Sequence, residues 1–271
     1  MFPPERIVCL TEETVETLYL IGEERRIVGI SGYVVRPPRA RRERPRVSAF
    51  TSADIPKILA LRPDLVLTFS DLQADIAASL IKQGVDVHAF NQRSIAEILD
   101  MIRMLGSLVG AQDRAQRLTD DLVAALAAAG HRASRLPFRP KVYFEEWDDP
   151  MISGIAWVSE LIGVAGGIDV FADLSRCKAA KDRIVTANQI IAQAPDIIIG
   201  SWCGKKFRPE KVLNRPGFDT VPAVRNGAVH EIKSPLILQP GPAALTDGLA
   251  AIEAIITHAV ALPDQEFARP G

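Results

Sequence analysis

The fold of this chain is decided by the stretch ILALRPDLVLTF at residues 58–69. A helix end, a Pro-Asp turn and an aliphatic run follow one another in it. The aliphatic run is too short for a capped helix and predicts a strand buried on both faces of a parallel sheet. The pattern returns as IIAQAPDIIIGS at residues 190–201. One copy in each half predicts two similar α/β lobes facing a shared cleft, because such sheets bind ligands at the carboxyl ends of their strands.

Length and composition agree with two globular lobes. The chain has 271 residues, of which 48% are hydrophobic and 24% charged, as is ordinary for a globular protein. A formal net charge of −1 creates no field that would attract nucleic acid or an anionic membrane. The three cysteines lie too far apart for a disulfide framework or a CxxC metal site, which favours a reduced compartment.

The beginning of the chain predicts a location. Residues 1–6, MFPPER, lead directly into the first predicted strand without the basic and apolar regions of a secretory signal. No segment approaches the roughly 20 apolar residues that span a bilayer. The sequence therefore predicts a cytoplasmic protein without membrane insertion, and a periplasmic or cell-surface one only if a leader has been removed.

Strands and helices alternate over residues 1–110 and again over residues 137–271, which predicts one α/β lobe in each range. Residues 111–136 lie between them. Strong helix formers dominate this segment, apolar residues recur in it at helical spacing, and residues 111–129 contain neither Gly nor Pro. We therefore expect one long interlobe helix, which would hold the lobes at a nearly fixed angle, unlike a flexible linker.

Aromatic and polar side chains gather at the predicted strand ends. Large flat rings at these positions suit a large, flat or greasy ligand, although the same rings could cap the cores of the lobes. The candidate ligand-binding residues are Thr11, Glu12, Tyr33, Phe50, Phe69, Ser70, Trp147, Trp202 and Cys203.

Two charged segments leave alternatives open. The run EEWDD at residues 145–149 could hold a hard cation or an acid/base pair. Successive strand residues point to opposite faces, so a solvated acidic turn, or partners for the arginines, is favoured. Six arginines between residues 36 and 46 could form an anion-binding rim. A solvated loop is favoured, because neighbouring like charges repel.

Cysteines could supply a metal site. Cys9 and Cys203 each lie at a predicted strand end, one per lobe. Thiolates there could ligate cobalt, iron or zinc, but such cysteines are more often small buried hydrophobes. The chain has no P-loop, nucleophile elbow, HExxH or GxGxxG motif. The sequence therefore predicts no catalytic residues, no metal site and no cofactor.

Several motifs, in order, resemble a known family over almost the whole chain. They are RIVCLTEETVE at 6–16, VGISGY at 28–33 with Pro37-Pro38, ILALRPDLV at 58–66, PMISG at 150–154, Gly166-Gly167, and APDI at 194–197. Together they resemble the substrate-binding proteins of iron-siderophore, haem and vitamin B12 ABC importers, and the vitamin B12 binders among them most.

This resemblance implies a fold and a function. The family's class III fold joins two Rossmann-like lobes with parallel sheets by one long helix. It implies non-catalytic binding of a corrinoid, haem or ferric chelate for ABC-type import. In the vitamin B12 binders aromatic rings sandwich the corrin. Tyr33 and Phe69 match such positions, and Trp202 lies near one.

The resemblance also implies partners. Besides a small-molecule ligand, the family's proteins meet an ABC permease through acidic residues on each lobe. Asp75 matches such a position on the first lobe, and Glu210 is the regional candidate on the second. A fold does not determine a function, so an alternative stays open. It is a cytoplasmic metal- or tetrapyrrole-handling protein or enzyme built on the same two lobes.

Overall fold

The computed structural model describes residues 2–261, which fall into two compact units. The first unit, lobe one, runs to Gln92 and includes Ala96–Leu122; the second, lobe two, comprises Arg93–Ile95 and the chain from Val123 onward. Met1 and residues 262–271, the end of the predicted C-terminal lobe, lie outside the described residues.

Lobe one is built on a sheet whose five strands are all parallel, in the order β3-β2-β1-β4-β5. The strands are β1 Ile7–Cys9, β2 Ile27–Ser31, β3 Arg46–Ser48, β4 Leu65–Phe69 and β5 Val87–Phe90. The helices are α1 Glu12–Leu20, α2 Ala40–Glu43, α3 Ile55–Ala60, α4 Ala74–Lys82 and α5 Ile95–Leu108. Val8 and Val66 on central strands and Ile58 on α3 are fully buried in its core.

Lobe two also has a five-stranded sheet, with the path β10-β9-β6-β7 and β8 paired to β6. The strands are β6 Lys141–Asp148, β7 Met151–Ser153, β8 Ile168–Asp169, β9 Ile197–Gly200 and β10 Val229–Glu231. The helices are α7 Ala156–Val164, α8 Ala172–Ser175, α9 Ala187–Gln193, α10 Pro209–Leu213, α11 Pro222–Arg225, α12 Ser234–Ile237 and α13 Leu249–Ala261. Only β7 runs antiparallel among these described pairings.

The repeated sequence pattern forms the same local structure twice. In each copy a helix, α3 or α9, leads into a central strand, β4 or β9. The residue before each proline adopts positive φ, 47° at Arg62 and 46° at Ala194, which ends the helix. The following aspartates then pin the neighbouring strand: Asp64 accepts a hydrogen bond of 2.9 Å from the backbone N–H of Arg6, and Asp196 one of 2.8 Å from that of Lys141. The Pro-Asp pair thus sets the start of β1 and of β6.

A helix of 22 residues, α6 Gln112–Ala133, follows α5. Its residues up to Leu122 belong to lobe one and those from Val123 to lobe two. Ala115, Leu122 and Ala129 are buried at helical spacing, so the apolar stripe in the sequence is the stripe that the helix packs.

One helical segment, Ala244–Ala261, is long and apolar enough to cross a membrane by length and composition alone, which the sequence reading did not anticipate. Leu249, Ile252 and Ile256 on this segment are buried inside lobe two. Core helices of globular lobes have the same composition.

Three short strands were not predicted, namely β3, β7 and β8. Each has two or three residues, too few for an alternation of apolar and polar residues to be visible. The arginine-rich segment contains one turn of helix, α2, instead of only irregular loop. Both differences concern the edges of the fold and leave the two α/β lobes as predicted.

Candidate functional site

The carboxyl edge of the lobe-one sheet collects the residues predicted on this lobe. Because β1, β2, β3 and β4 are parallel, their carboxyl ends meet at one edge of the sheet. Thr11 follows β1, Tyr33 follows β2, Phe50 follows β3, and Phe69 ends β4. Glu12 and Ser70 come directly after two of these residues.

Gln73 holds these loops together, and sequence reasoning missed it. Its side chain is 1% exposed. The amide nitrogen donates to the carbonyl oxygens of Phe50, at 2.8 Å, and Leu10, at 3.3 Å, and the amide oxygen accepts from the N–H of Phe69 at 2.9 Å. One amide therefore links the ends of β1 and β4 to the loop after β3. A lone Gln in a short turn carries no sequence signal for this role.

The predicted residues of lobe one differ in how much surface they offer. Tyr33 is 52% exposed, whereas Phe69 is 5% exposed. Phe50 and Glu12 are half-buried. Ser70 is buried and caps the following turn by accepting from the N–H of Leu72 at 3.3 Å. Tyr33 is therefore the aromatic ring on this edge with the most free surface for a flat ligand.

A buried polar cluster lies beneath the beginning of α1. Thr11 donates from its hydroxyl to the carboxylate of Glu13 at 2.6 Å. Burial raises the pKa of Glu13 to about 7, although the hydrogen bond from Thr11 opposes the shift. Burial also raises the pKa of the Cys9 thiol to about 12. Cys9 is thus a buried, protonated thiol, which is the reading the sequence favoured over a thiolate ligand.

Lobe two places a fully buried carboxylate in the second half of β6. Glu145 is 0% exposed. It accepts two hydrogen bonds from the guanidinium of Arg215, at 2.5 and 2.9 Å, and one from the indole nitrogen of Trp202 at 3.0 Å. The hydroxyl of Tyr143 donates to it at 3.0 Å. Burial disfavours the charge on Arg215, but its bonds to Glu145 outweigh this and raise its pKa.

A second carboxylate, Asp148, holds two lysines at the end of the same strand. Lys205 forms an ion pair with it, and Lys211 donates to it at 3.2 Å. Burial would raise the pKa of Asp148, but the hydrogen bonds from these lysines outweigh it and lower the pKa. The ammonium of Lys205 also lies 4.3 Å from the ring centroid of Trp147 and 5.2 Å from that of Trp202.

Trp202 lies in the core of lobe two. It is 2% exposed and packs at an angle of 62° against Phe207, with ring centroids 4.8 Å apart. Gly200 permits this packing, because a Cβ there would lie 1.9 Å from the Phe207 ring. The ring of Trp202 therefore presents little surface to a ligand. Trp147 is half-buried, and Cys203 is exposed.

The acidic run is not the solvated turn that the sequence favoured. Glu145 pairs with Arg215, Glu146 with the buried Arg183 at 2.6 Å, and Asp148 with two lysines. Successive residues of the run do point to opposite faces of the strand. On each face, however, the carboxylate is paired with a cation from elsewhere in lobe two. The prediction missed these partners because they lie 37 to 70 residues away.

The arginine-rich segment of lobe one is partly a solvated loop and partly an ion-paired one. Arg36 donates to Glu16 at 2.8 Å and Arg39 to Glu24 at 3.1 Å. Arg41, Arg42 and Arg46 are exposed. The remaining predicted residues, Asp75 on α4 and Glu210 on α10, are both exposed.

Comparisons with known proteins agree with this architecture. A family model described as periplasmic binding protein matches residues 7–236. The vitamin B12-binding protein of Vibrio cholerae serotype O1 is 28% identical over 205 residues, which cover 74% of this chain and 71% of that protein.

Two solved structures share the fold. The periplasmic haem-binding protein RhuT from Roseiflexus sp. RS-1 superposes with a TM-score of 0.79 at 24% identity, covering 93% of this chain and 99% of that one. The periplasmic vitamin B12-binding protein BtuF of Vibrio cholerae superposes with a TM-score of 0.76 at 23% identity, covering 96% and 99%. The predicted two-lobed class III fold is therefore confirmed.

The comparisons correct the predicted location. The sequence predicted a cytoplasmic protein, and this prediction is wrong. The matching family is described as periplasmic binding protein, which points to a location outside the cytoplasm.

Proposed function

This chain belongs to the periplasmic binding protein family, and from that membership we propose that it binds a corrinoid, haem or ferric chelate and delivers it to an ABC importer. The observation that supports this most is the family match across residues 7–236 together with relatives named for vitamin B12 and haem. We place the ligand at the carboxyl edge of a sheet, as is general for open α/β sheets.

The described side chains at those edges suit binding rather than a reaction. On lobe one the ring of Tyr33 is half-exposed, and Gln73 holds the surrounding loops by three hydrogen bonds. On lobe two the carboxylates of Glu145 and Asp148 are occupied by cations. We therefore propose that the protein has no catalytic activity and that its ligand leaves unchanged.

The experiment is a binding titration that is monitored by visible absorbance. Cyanocobalamin, haemin and a ferric hydroxamate are each added separately to the protein at micromolar concentration. We expect a saturable spectral change, or heat of binding, with at least one of the three. If none of them binds, the proposed function is wrong.

Tyr33→Ala tests the contribution of lobe one to the same site. An aromatic contact contributes about 0.5–1.5 kcal/mol beyond burial, so up to about a tenfold loss of affinity is expected. Stability should stay unchanged, because the ring is 52% exposed. Met104→Ala on α5 is the matched control, since Met104 is 48% exposed. Equal affinities of the two variants would remove Tyr33 from the site.

We also propose an ABC permease as partner, contacted by the exposed carboxylates of Asp75 and Glu210. An Asp75→Lys/Glu210→Lys variant should abolish ligand uptake by cells while the purified protein keeps its ligand affinity. Uptake at the wild-type rate would show that these residues do not dock.

A further inference from the structure

A cavity of about 380 Å³ opens on lobe two, beside the network described above. Five residues line it: Trp202, Lys205, Lys206, Arg208 and Lys211. Four of the five are cationic and none is acidic. Like charges at one concavity repel one another unless counter-charges lie beside them. Such an arrangement is typical of a site for an anion.

The four cations fall into two pairs. Lys205 and Lys211 are both held by Asp148, which fixes their ammonium groups at the cavity wall. Lys206 and Arg208 are exposed and have no ion-pair partner within residues 2–261. Two positive charges in the lining therefore remain uncompensated. Glu210 is the acidic residue nearest in sequence to Arg208. It is exposed on α10 and is not part of the cavity lining.

The floor of the cavity is preorganised. Trp202 is fixed from below by its hydrogen bond to Glu145. Lys211 lies 5.8 Å from the ring centroid of Trp202, and Lys205 lies 5.2 Å from it. Cations held over aromatic faces keep their charge at a defined place, so little side-chain entropy is lost when an anion binds.

We propose that this cavity binds the oxyanion groups of the transported ligand, which therefore carries at least two negative charges. This inference rests on the proposed function and narrows its ligand class. Haem, with two carboxylates, and anionic ferric chelates satisfy it. Cyanocobalamin, whose peripheral carboxyls are amidated and whose phosphodiester carries a single negative charge, and a neutral ferric hydroxamate do not.

The test compares haemin with its dimethyl ester, which has the same macrocycle but no carboxylates. Wild-type protein should bind haemin more tightly than the ester, by up to about 25-fold, because each of the two exposed cations contributes up to about fivefold. The Lys206→Gln/Arg208→Gln variant should lose this preference. Lys206→Arg/Arg208→Lys should keep it, since both charges remain.

Lys82→Gln/Arg117→Gln is the matched control. It removes two exposed cations of lobe one and equally changes net charge, so it should leave the preference for haemin intact. All titrations are repeated at high salt, where the preference should shrink.

The outcomes separate the two proposals. Equal binding of haemin and its ester by the wild type, or an undiminished preference in Lys206→Gln/Arg208→Gln, overturns the anion site and leaves the proposed function standing. The same holds if only cyanocobalamin or the neutral hydroxamate binds. If no probe binds, the proposed function fails, and the inference that rests on it fails too.

Discussion

Replacing Arg215 by Met removes the counter-ion of a carboxylate that has no access to water. Glu145 is 0% exposed, and the Arg215 side chain is 13% exposed. The variant keeps the donors of Trp202 and Tyr143 at 3.0 Å but leaves the charge uncompensated. Breaking a buried ion pair from one side costs about 3–5 kcal/mol, and we expect a loss in this range at pH 7.

Urea unfolding, monitored by tryptophan fluorescence, measures this loss of stability in lobe two. The three tryptophans of the chain are Trp147, Trp157 and Trp202, all in lobe two. The midpoint should fall while the slope with urea stays constant.

Two further variants control this experiment. Lys211→Met removes a cation that is 52% exposed and makes one contact of 3.2 Å to Asp148, so it should cost at most about 1 kcal/mol. Glu145→Gln/Arg215→Met should be more stable than Arg215→Met alone, since the buried charge is gone. A loss below about 1 kcal/mol in Arg215→Met would refute the argument from an uncompensated charge.

Three other substitutions test the described cores. Trp202→Ala should cost about 3–5 kcal/mol in urea unfolding followed by circular dichroism, because a large ring that is 2% exposed is deleted; a loss below 1 kcal/mol would place the ring outside the core. Glu13→Gln should raise stability at pH 8 by about 3 kcal/mol and leave it unchanged below pH 4.5. The reason is that the pKa of Glu13 is raised from 4.5 to about 7, so its carboxyl weakens the fold as the pH rises through this window; a gain independent of pH would contradict this. Gln73→Leu should cost about 2–4 kcal/mol, because two buried backbone groups and one part-buried one lose their partner, and a thermal midpoint equal to that of the wild type would show that the amide is dispensable.

The repeated Pro-Asp pattern predicted the fold because its information is local. A residue with positive φ before proline ends the helix at Arg62 and at Ala194, and the aliphatic residues of the strand follow within a few positions. Propensity, turn chemistry and burial all act within about a dozen residues there. A single sequence shows such a signal directly.

The candidate site was less predictable because its geometry is not local. Position after a strand indicated Trp202 as a ligand contact, but that position does not determine which way a ring points. The ring points into the core because it packs against Phe207 and donates a hydrogen bond to Glu145. The pairing of Glu145 with Arg215 joins residues 70 positions apart, and no periodicity reports such a pairing. Tyr33, by contrast, is exposed at the predicted edge.

The 70 positions between Glu145 and Arg215 also affect the order in which parts of the chain fold during synthesis. Strands β1–β5 end at Phe90, so the sheet of lobe one can form while much of lobe two is still being translated. Glu145 emerges from the ribosome long before Arg215 and stays hydrated until that residue arrives, because its charge cannot enter an apolar core alone. Burial of β6 with a charged Glu145 is therefore disfavoured until residue 215 has been made.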